Sequence, residues 1–543
     1  MSAVLVALLL QAAPLDAGVD VVGQALVAEV ARAKALSMAT SPGAKVERPY
    51  YLAAFFNEAQ TFDAWASFGA LASRVEATNY SVATRVRVGS ATFDNTGFQD
   101  SSFSLAEGRR PRPMPGELDP DLLRHTLWLA LDDAYKQAVE TLAKKRAFLL
   151  TNAVLDPIDD FSSAPPFIID RPRVPLQVEG EKTAALVRRV SAVFLDNPVL
   201  QEGTAWYRAA STEQHFASSE GVTHRFGEAQ VSLQLAVMAQ ASDGMELRLM
   251  QRFSGQDEAD LPAEPELVTA AQQLSTRMTA LAKAPLADED YAGPVLFVDQ
   301  AAALFFLATL GEPLSNPREP LGARQRGRMV DRLGKRVANK ALSAVDDPTV
   351  TRWLVGQREV PLWGAFPVDD DGVQPQRVSL VEDGVLRSYY MSRTPTAGLK
   401  QSNGHCRGEQ GAVGNLFIRT SQPVARVAMK RRLLELAREE DLDYGLMVES
   451  AGEALPREGL SNPVVVWRVY ADGREVLVRG LTFKPISARV LKELEAVGDE
   501  PFVLNLEHRG QRTSVIAPGV LVKLMELTRP RAEFERPPLL PRP

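Results

Sequence analysis

The chain predicts an α+β fold in two domains, each an antiparallel or mixed sheet with packed helices. Three observations carry this. Runs that alternate apolar and polar residues recur in both halves; residues 80–89 (YSVATRVRVG) alternate as a half-buried antiparallel strand should. Three pairs of such runs flank an Asp-Gly turn, at Asp243-Gly244, Asp383-Gly384 and Asp472-Gly473, which marks tight hairpins. At 543 residues the chain is also too long for one ordinary core.

Taken in order, residues 1–17 hold an apolar run at 3–10 followed by small residues. This reads as the core of a secretory signal cut after Ala13 or Ala17, although no Lys or Arg precedes it. An exported or periplasmic location is therefore favoured over a cytoplasmic one. Residues 21–35 have helical periodicity, with Val22, Leu26, Val27, Val30 and Ala31 on one face. Strand patterns follow at 50–56, 62–71, 75–88 and 91–93, and Asp94-Asn95 ends them. A helix opens at Asp119-Pro120 and runs to about Arg146, with Lys144-Lys145-Arg146 at its negative end. Residues 156–175 hold five prolines and read as a connecting loop. A helix at 183–194, strands at 231–238 and 246–253, and a helix from Glu264-Pro265 to about Lys283 complete this half. Residues 284–292 make the best boundary, giving domains over 18–285 and 286–530 and a tail over 531–543.

The second half opens with a short buried strand at 294–298. Asp299 then stands where an N-cap belongs, and 301–310 is an apolar helix of Ala, Leu, Phe and Thr alone. Such a helix packs but supplies no acid–base or metal chemistry. Hairpins are expected at 378–381 with 385–391 and at 464–470 with 475–478, helices at 424–440 and 487–497, and a last core strand at 513–518.

Net charge is −7 with both signs interspersed, so no concentrated basic face for nucleic acid is present. The densest basic run, Lys430-Arg431-Arg432, sits on a helical pattern followed by acids and reads as a solvated helix face. A single cysteine, Cys406, excludes an intrachain disulfide or a Cys-rich zinc site. The five histidines stand too far apart in sequence for a helix-borne zinc pair. No stretch after the N-terminus reaches ~18 uninterrupted apolar residues, so no membrane span is expected.

An ordered set of short motifs then carries a family resemblance over nearly the whole length. In chain order these are Val86-Arg87-Val88-Gly89, Asp94-Asn95-Thr96, Ser219-Glu220-Gly221 and Gly293-Pro294-Val295. The segment from Asp331 to Val337 (DRLGKRV) follows, then Asp369-Asp370-Asp371-Gly372, the Asp383-Gly384 hairpin, Asn403-Gly404-His405 and Gly414-Asn415-Leu416. Gly480-Leu481-Thr482-Phe483 and Ser514-Val515-Ile516-Ala517-Pro518 end the set. Together they resemble the TldD/PmbA family, called modulators of DNA gyrase and classed as metallopeptidases. The Asp331 segment is similar to its metal-free PmbA (TldE) branch. The resemblance implies that the active branch carries His-Glu-x-x-x-His on the helix after the Gly-Pro-Val strand, with imidazoles on zinc and the Glu as general base. Counted from Gly293 without gaps, those positions are Leu307, Ala308 and Glu312 here, so ligands and base are absent. The family's third ligand, a Cys near the C-terminus, is missing too.

Rival sites weigh less. His405-Cys406 are adjacent, so in an extended chain they point to opposite faces; a glycine-rich loop with at most a weakly exposed thiol is expected. Asp369-Asp370-Asp371 lacks the alternation of a calcium loop and reads as a solvated turn. Glu312 and Glu409 show no partner in the sequence, and Ser218 and Ser219 read as a polar turn.

The preferred reading is a non-catalytic family homologue, without metal or cofactor and inactive alone, with the chemistry held in a partner. The resemblance implies pairing with an active TldD-like subunit, or a homo-oligomer, around a cavity that takes unfolded peptide. The alternatives are a free-standing hydrolase with a relocated site and an exported peptide-binding protein.

Overall fold

The computed structural model describes residues 20–39, 45–99, 111–114, 117–152, 157–171, 173–315, 318–322, 329–456, 459–529 and 534. The signal segment expected at 1–17 lies outside the described residues, as does the tail apart from residue 534.

The first half builds one sheet from β1 (Pro49–Ser67), β2 (Ala70–Ser90), β3 (Phe93–Asp94), β4 (Arg112–Met114), β5 (Ile168–Asp170), β6 (Leu200–Ser218), β7 (Thr223–Gln240) and β8 (Glu246–Gly255). Their order is β3-β2-β1-β6-β7-β5, with β4 on β2 and β8 on β7. Helices α1 (Val21–Ala33), α2 (Pro120–Asn152), α3 (Gly180–Ala192) and α4 (Glu264–Lys283) all serve one face of it. Leu52, Ala54 and Phe56 pack with α1 and α2, while Phe62, Ala64 and Ala66 pack with α3 and α4. The period-2 geometry turns Tyr51 and Ala53 to the other face, where Phe161, Phe216 and Val222 complete a separate cluster.

Several expectations need correction here. Strands read as separate at 50–56 and 62–71 are the single strand β1, and the turn lies inside the second run. Phe68 (φ 47°) and Gly69 (φ 80°) make it, and a Phe in the left-handed region gives no usual turn signal. β6 has no counterpart in the sequence reading because its core face is partly alanine, at Ala205, Ala209 and Ala217, which dulls the alternation. In α1 the buried stripe is Val22, Ala25, Leu26, Glu29, Val30 and Ala33, and Val27 and Ala31 face solvent. Helix α2 continues to Asn152, and Lys145 is not a helix-end charge: it is buried and pairs with Asp160 at 2.6 Å.

The second half builds a larger sheet. Its strands are β9 (Tyr291–Phe297), β10 (Leu342–Asp346), β13 (Val378–Glu382), β14 (Val385–Leu386), β17 (Asn415–Thr420), β18 (Pro423–Val424), β19 (Tyr444–Ala451), β20 (Pro463–Tyr470), β21 (Glu475–Val478), β22 (Thr482–Phe483), β23 (Leu494–His508) and β24 (Gln511–Thr528). Two small hairpins stand outside it, β11 (Arg352–Val355) with β12 (Arg358–Pro361), and β15 (Cys406–Arg407) with β16 (Gln410–Gly411). β9 lies between β24 and β19, parallel to β19 and antiparallel to β24, so the sheet is mixed. Val295 and Phe297 face helix α5 (Asp299–Phe306), whereas Leu296 and Val298 face helix α6 (Arg426–Glu439). The expected helix at 487–497 is one helical turn, Ala488–Lys492, before β23 begins. Pairing with β24 outcompetes local helix propensity there. The strand expected at 385–391 is only Val385–Leu386.

Charged contacts join the halves. Arg393 is buried, binds Glu220 through two bonds of 2.6 and 3.0 Å and donates to the Ser162 carbonyl at 2.8 Å. Its guanidinium also lies 3.8 Å from the Phe161 ring centroid. Arg479 binds Asp243 in the same two-bond manner, at 2.9 and 2.6 Å. No helix among the described residues is long and apolar enough to cross a membrane.

Candidate functional site

Helix α5 leaves β9 through Val298, which stands at the N-cap position without a side-chain cap bond. Asp299 therefore does not cap the helix as expected. It adopts a left-handed conformation (φ 50°) and pairs with Arg426 of α6 at 2.6 Å. From Ala301 to Phe306 every residue is buried, and Phe305 packs 4.9 Å from Phe297 and 5.4 Å from Phe306. The helix is the buried structural element that its composition predicts.

Its continuation changes form. Leu307–Gly311 is a π-turn, closed by the Glu312 N–H donating to the Leu307 carbonyl. Residues i and i+5 stand roughly 140° apart around an α-helix, but an i→i+5 turn sets them nearly one above the other. Positions 307 and 312 thus share a face. Leu307 and Ala308 are buried in the apolar core. Glu312 is not the unpartnered carboxylate expected: Oε1 lies 2.6 Å from His508 Nε2 and Oε2 lies 2.6 Å from Arg509. Both partners sit at the turn between β23 and β24, so a long-range contact supplies what the sequence around Glu312 does not show.

The neighbouring loops are more buried than predicted. His405 and Cys406 are fully buried, which removes the weakly exposed thiol. His405 Nε2 meets Asp346 Oδ1 at 3.2 Å and its Nδ1 meets Asn403 at 3.1 Å. Asp346 also accepts from the Gly414 and Asn415 N–H groups. Burial, then the nearby Asp371, pushes the Cys406 thiol well above its ordinary range, so it stays protonated. Asp369 and Asp371 do not form a solvated turn. Asp369 accepts from the N–H groups of Cys406, Asp371 and Val373, and burial and Asp371 raise its carboxyl. Asp371 is held below the usual range, against burial, by Arg85 at 2.7 Å. The run is a clamp between the halves. Ser219 is a turn residue as expected, whereas Ser218 is the last residue of β6; their hydroxyls accept from the Leu52 and Val222 N–H groups.

Residues 290–529 match the model of the PmbA/TldA metallopeptidase C-terminal domain. Residues 290–529 thus carry the C-terminal domain of the PmbA/TldD family. A metalloprotease of Archaeoglobus fulgidus is 36% identical over 78 residues, and one of Methanocaldococcus jannaschii 28% over 91. These stretches cover 14% and 17% of this chain and only 16% and 18% of the relatives' own lengths. The fold is similar to TldE of Thermococcus kodakarensis at 12% identity and TM-score 0.57, covering 88% of this chain and 97% of that one. It is also similar to a proposed modulator of DNA gyrase from Bacteroides thetaiotaomicron, at 11% identity and TM-score 0.61, covering 94% and 98%.

For a region that matches a metallopeptidase domain, the donor set at the π-turn does not fit zinc. Leu307 and Ala308 have no ligating atom, and Glu312 is already engaged by His508 and Arg509. Among the described residues, no group of three or more His, Cys, Asp or Glu side chains is placed to hold a metal ion.

Proposed function

We propose that this PmbA/TldD-family chain is a non-catalytic subunit that holds unfolded peptide and pairs with a catalytic relative. Leu307, Ala308 and Glu312 are read as the positions that replace the zinc motif, and the division at 285/286 as the domain boundary. One observation carries the reading: the π-turn keeps i and i+5 on one face, yet apolar packing and the Glu312–His508–Arg509 cluster occupy that face. The relocated-hydrolase alternative loses its best nucleophile, because Cys406 is buried and protonated.

The test is metal analysis of the purified chain after dialysis, followed by peptide cleavage alone and with a His-Glu-x-x-x-His relative. We expect no stoichiometric zinc, and cleavage only in the mixture. About one zinc per chain, bound at the affinity usual for protein zinc sites, would sink the proposal. Cleavage by the metal-free chain alone would favour the relocated site.

A further inference from the structure

Two hairpin tips meet through Arg407 and Gln511, and one of them also carries the partners of Glu312. One is the β15–β16 turn, with Arg407 and Gly408; the other is the β23–β24 turn, where Arg509 (φ 51°) and Gly510 (φ 74°) form a two-residue left-handed corner. Arg407 donates from Nε to Gln511 Oε1 at 3.1 Å, and its guanidinium lies 4.6 Å from the Phe366 ring centroid. Both contacts orient the group without neutralising it, and no carboxylate of the described residues pairs with it. Arg509 is oriented differently: one nitrogen rests on Glu312 while its side chain remains 56% exposed.

Several acids around these tips are committed, although Glu507 of β23 makes no ion pair among the described residues. Glu312 holds His508 and Arg509, Glu228 holds Arg512 at 3.1 Å, and Asp371 holds Arg85. Asp370 accepts from the Gly408 N–H at 2.6 Å, and Glu409, on the same tip, makes a contact of its own. A fixed guanidinium with unused N–H donors is the group best matched to a carboxylate, which it takes in a planar two-bond arrangement.

We propose that Arg407 and Arg509, on these abutting tips, form a recognition site for a carboxylate of a peptide chain. The inference rests on the reading that the chain holds peptides, and adds which chemical group it recognises. A C-terminal carboxylate and an Asp or Glu side chain share that chemistry.

The experiment measures fluorescence anisotropy of the full chain with three short unstructured peptides. One has a free C-terminus and no acidic residue, one is the same sequence amidated, and one is amidated with a single internal Glu. We expect the free acid to bind about tenfold tighter than its amide, the scale of one charge-assisted contact. High salt should erase the difference, as should Arg407→Gln or Arg509→Gln. An internal Glu that restores affinity identifies the side chain as an equivalent source; one that does not assigns the site to the C-terminus, and both outcomes support it. Equal affinity for acid and amide overturns the site while leaving peptide holding intact. So does a preference that survives in both folded variants. Binding of none of the three peptides overturns peptide holding together with the site.

Discussion

His224 shows what burial does to a single titratable group in this molecule. Its ring stacks on Phe216 with centroids 4.9 Å apart, lies near Phe226 at 5.3 Å, and neither nitrogen has a partner among the described residues. Burial, and then the nearby His215, push its pKa down to about 3. The unfolded chain therefore binds the proton more readily than the folded one between about pH 3 and the ordinary histidine value near 6.5. Through that window stability falls as pH falls. His224→Phe keeps the stack and removes the proton site, so it should flatten the decline of unfolding free energy between pH 7 and 4. Denaturant titrations at several pH values read this directly, and an unchanged slope would show that other groups carry the acid sensitivity.

At the scale of the element, α5 and its π-turn are fitted to apolar surroundings. Introducing Leu307→His, Ala308→Glu and Glu312→His together would put an imidazole and a carboxylate in a dry core and strip His508 and Arg509 of their acceptor. Unsatisfied buried polar groups cost on the order of several kcal/mol in such a setting, with no second layer to orient new ligands. The triple variant is expected to unfold at lower denaturant concentration than the parent and to leave peptides intact. A folded variant that takes up zinc and cleaves an unstructured peptide would show that the space had been kept for catalysis.

The whole molecule is held across its two halves by charge as well as by apolar packing. Arg393 is heavily committed there, with Glu220, the Ser162 carbonyl and the Phe161 face all on one buried guanidinium. Removing one partner of a buried pair costs about 3–5 kcal/mol; Glu220 is partly exposed here, so the lower end applies. Arg393→Met should separate the unfolding of the halves, visible as two denaturation transitions or as early amide exchange in residues 158–162 and 218–222. A single transition at an unchanged midpoint would mean that apolar contacts suffice.

The sequence by itself determined the α+β class, the three Asp-Gly hairpins, the bounds of α4, the buried character of α5 and the family resemblance. Each rests on neighbours within a few residues or on motifs in fixed order, so no knowledge of distant contacts is needed. It also showed that Leu307 and Ala308 cannot bind metal, since side-chain chemistry is independent of fold. Only the tertiary structure decided that Glu312 meets His508 and Arg509, that Asp369 and Asp371 are a buried clamp, and that Cys406 is sealed. The reason is that a charged side chain looks the same in sequence whether solvated or paired. Its partner here lies from tens to nearly three hundred residues away, and only the meeting of the two halves and their hairpin tips brings the pair within bonding distance.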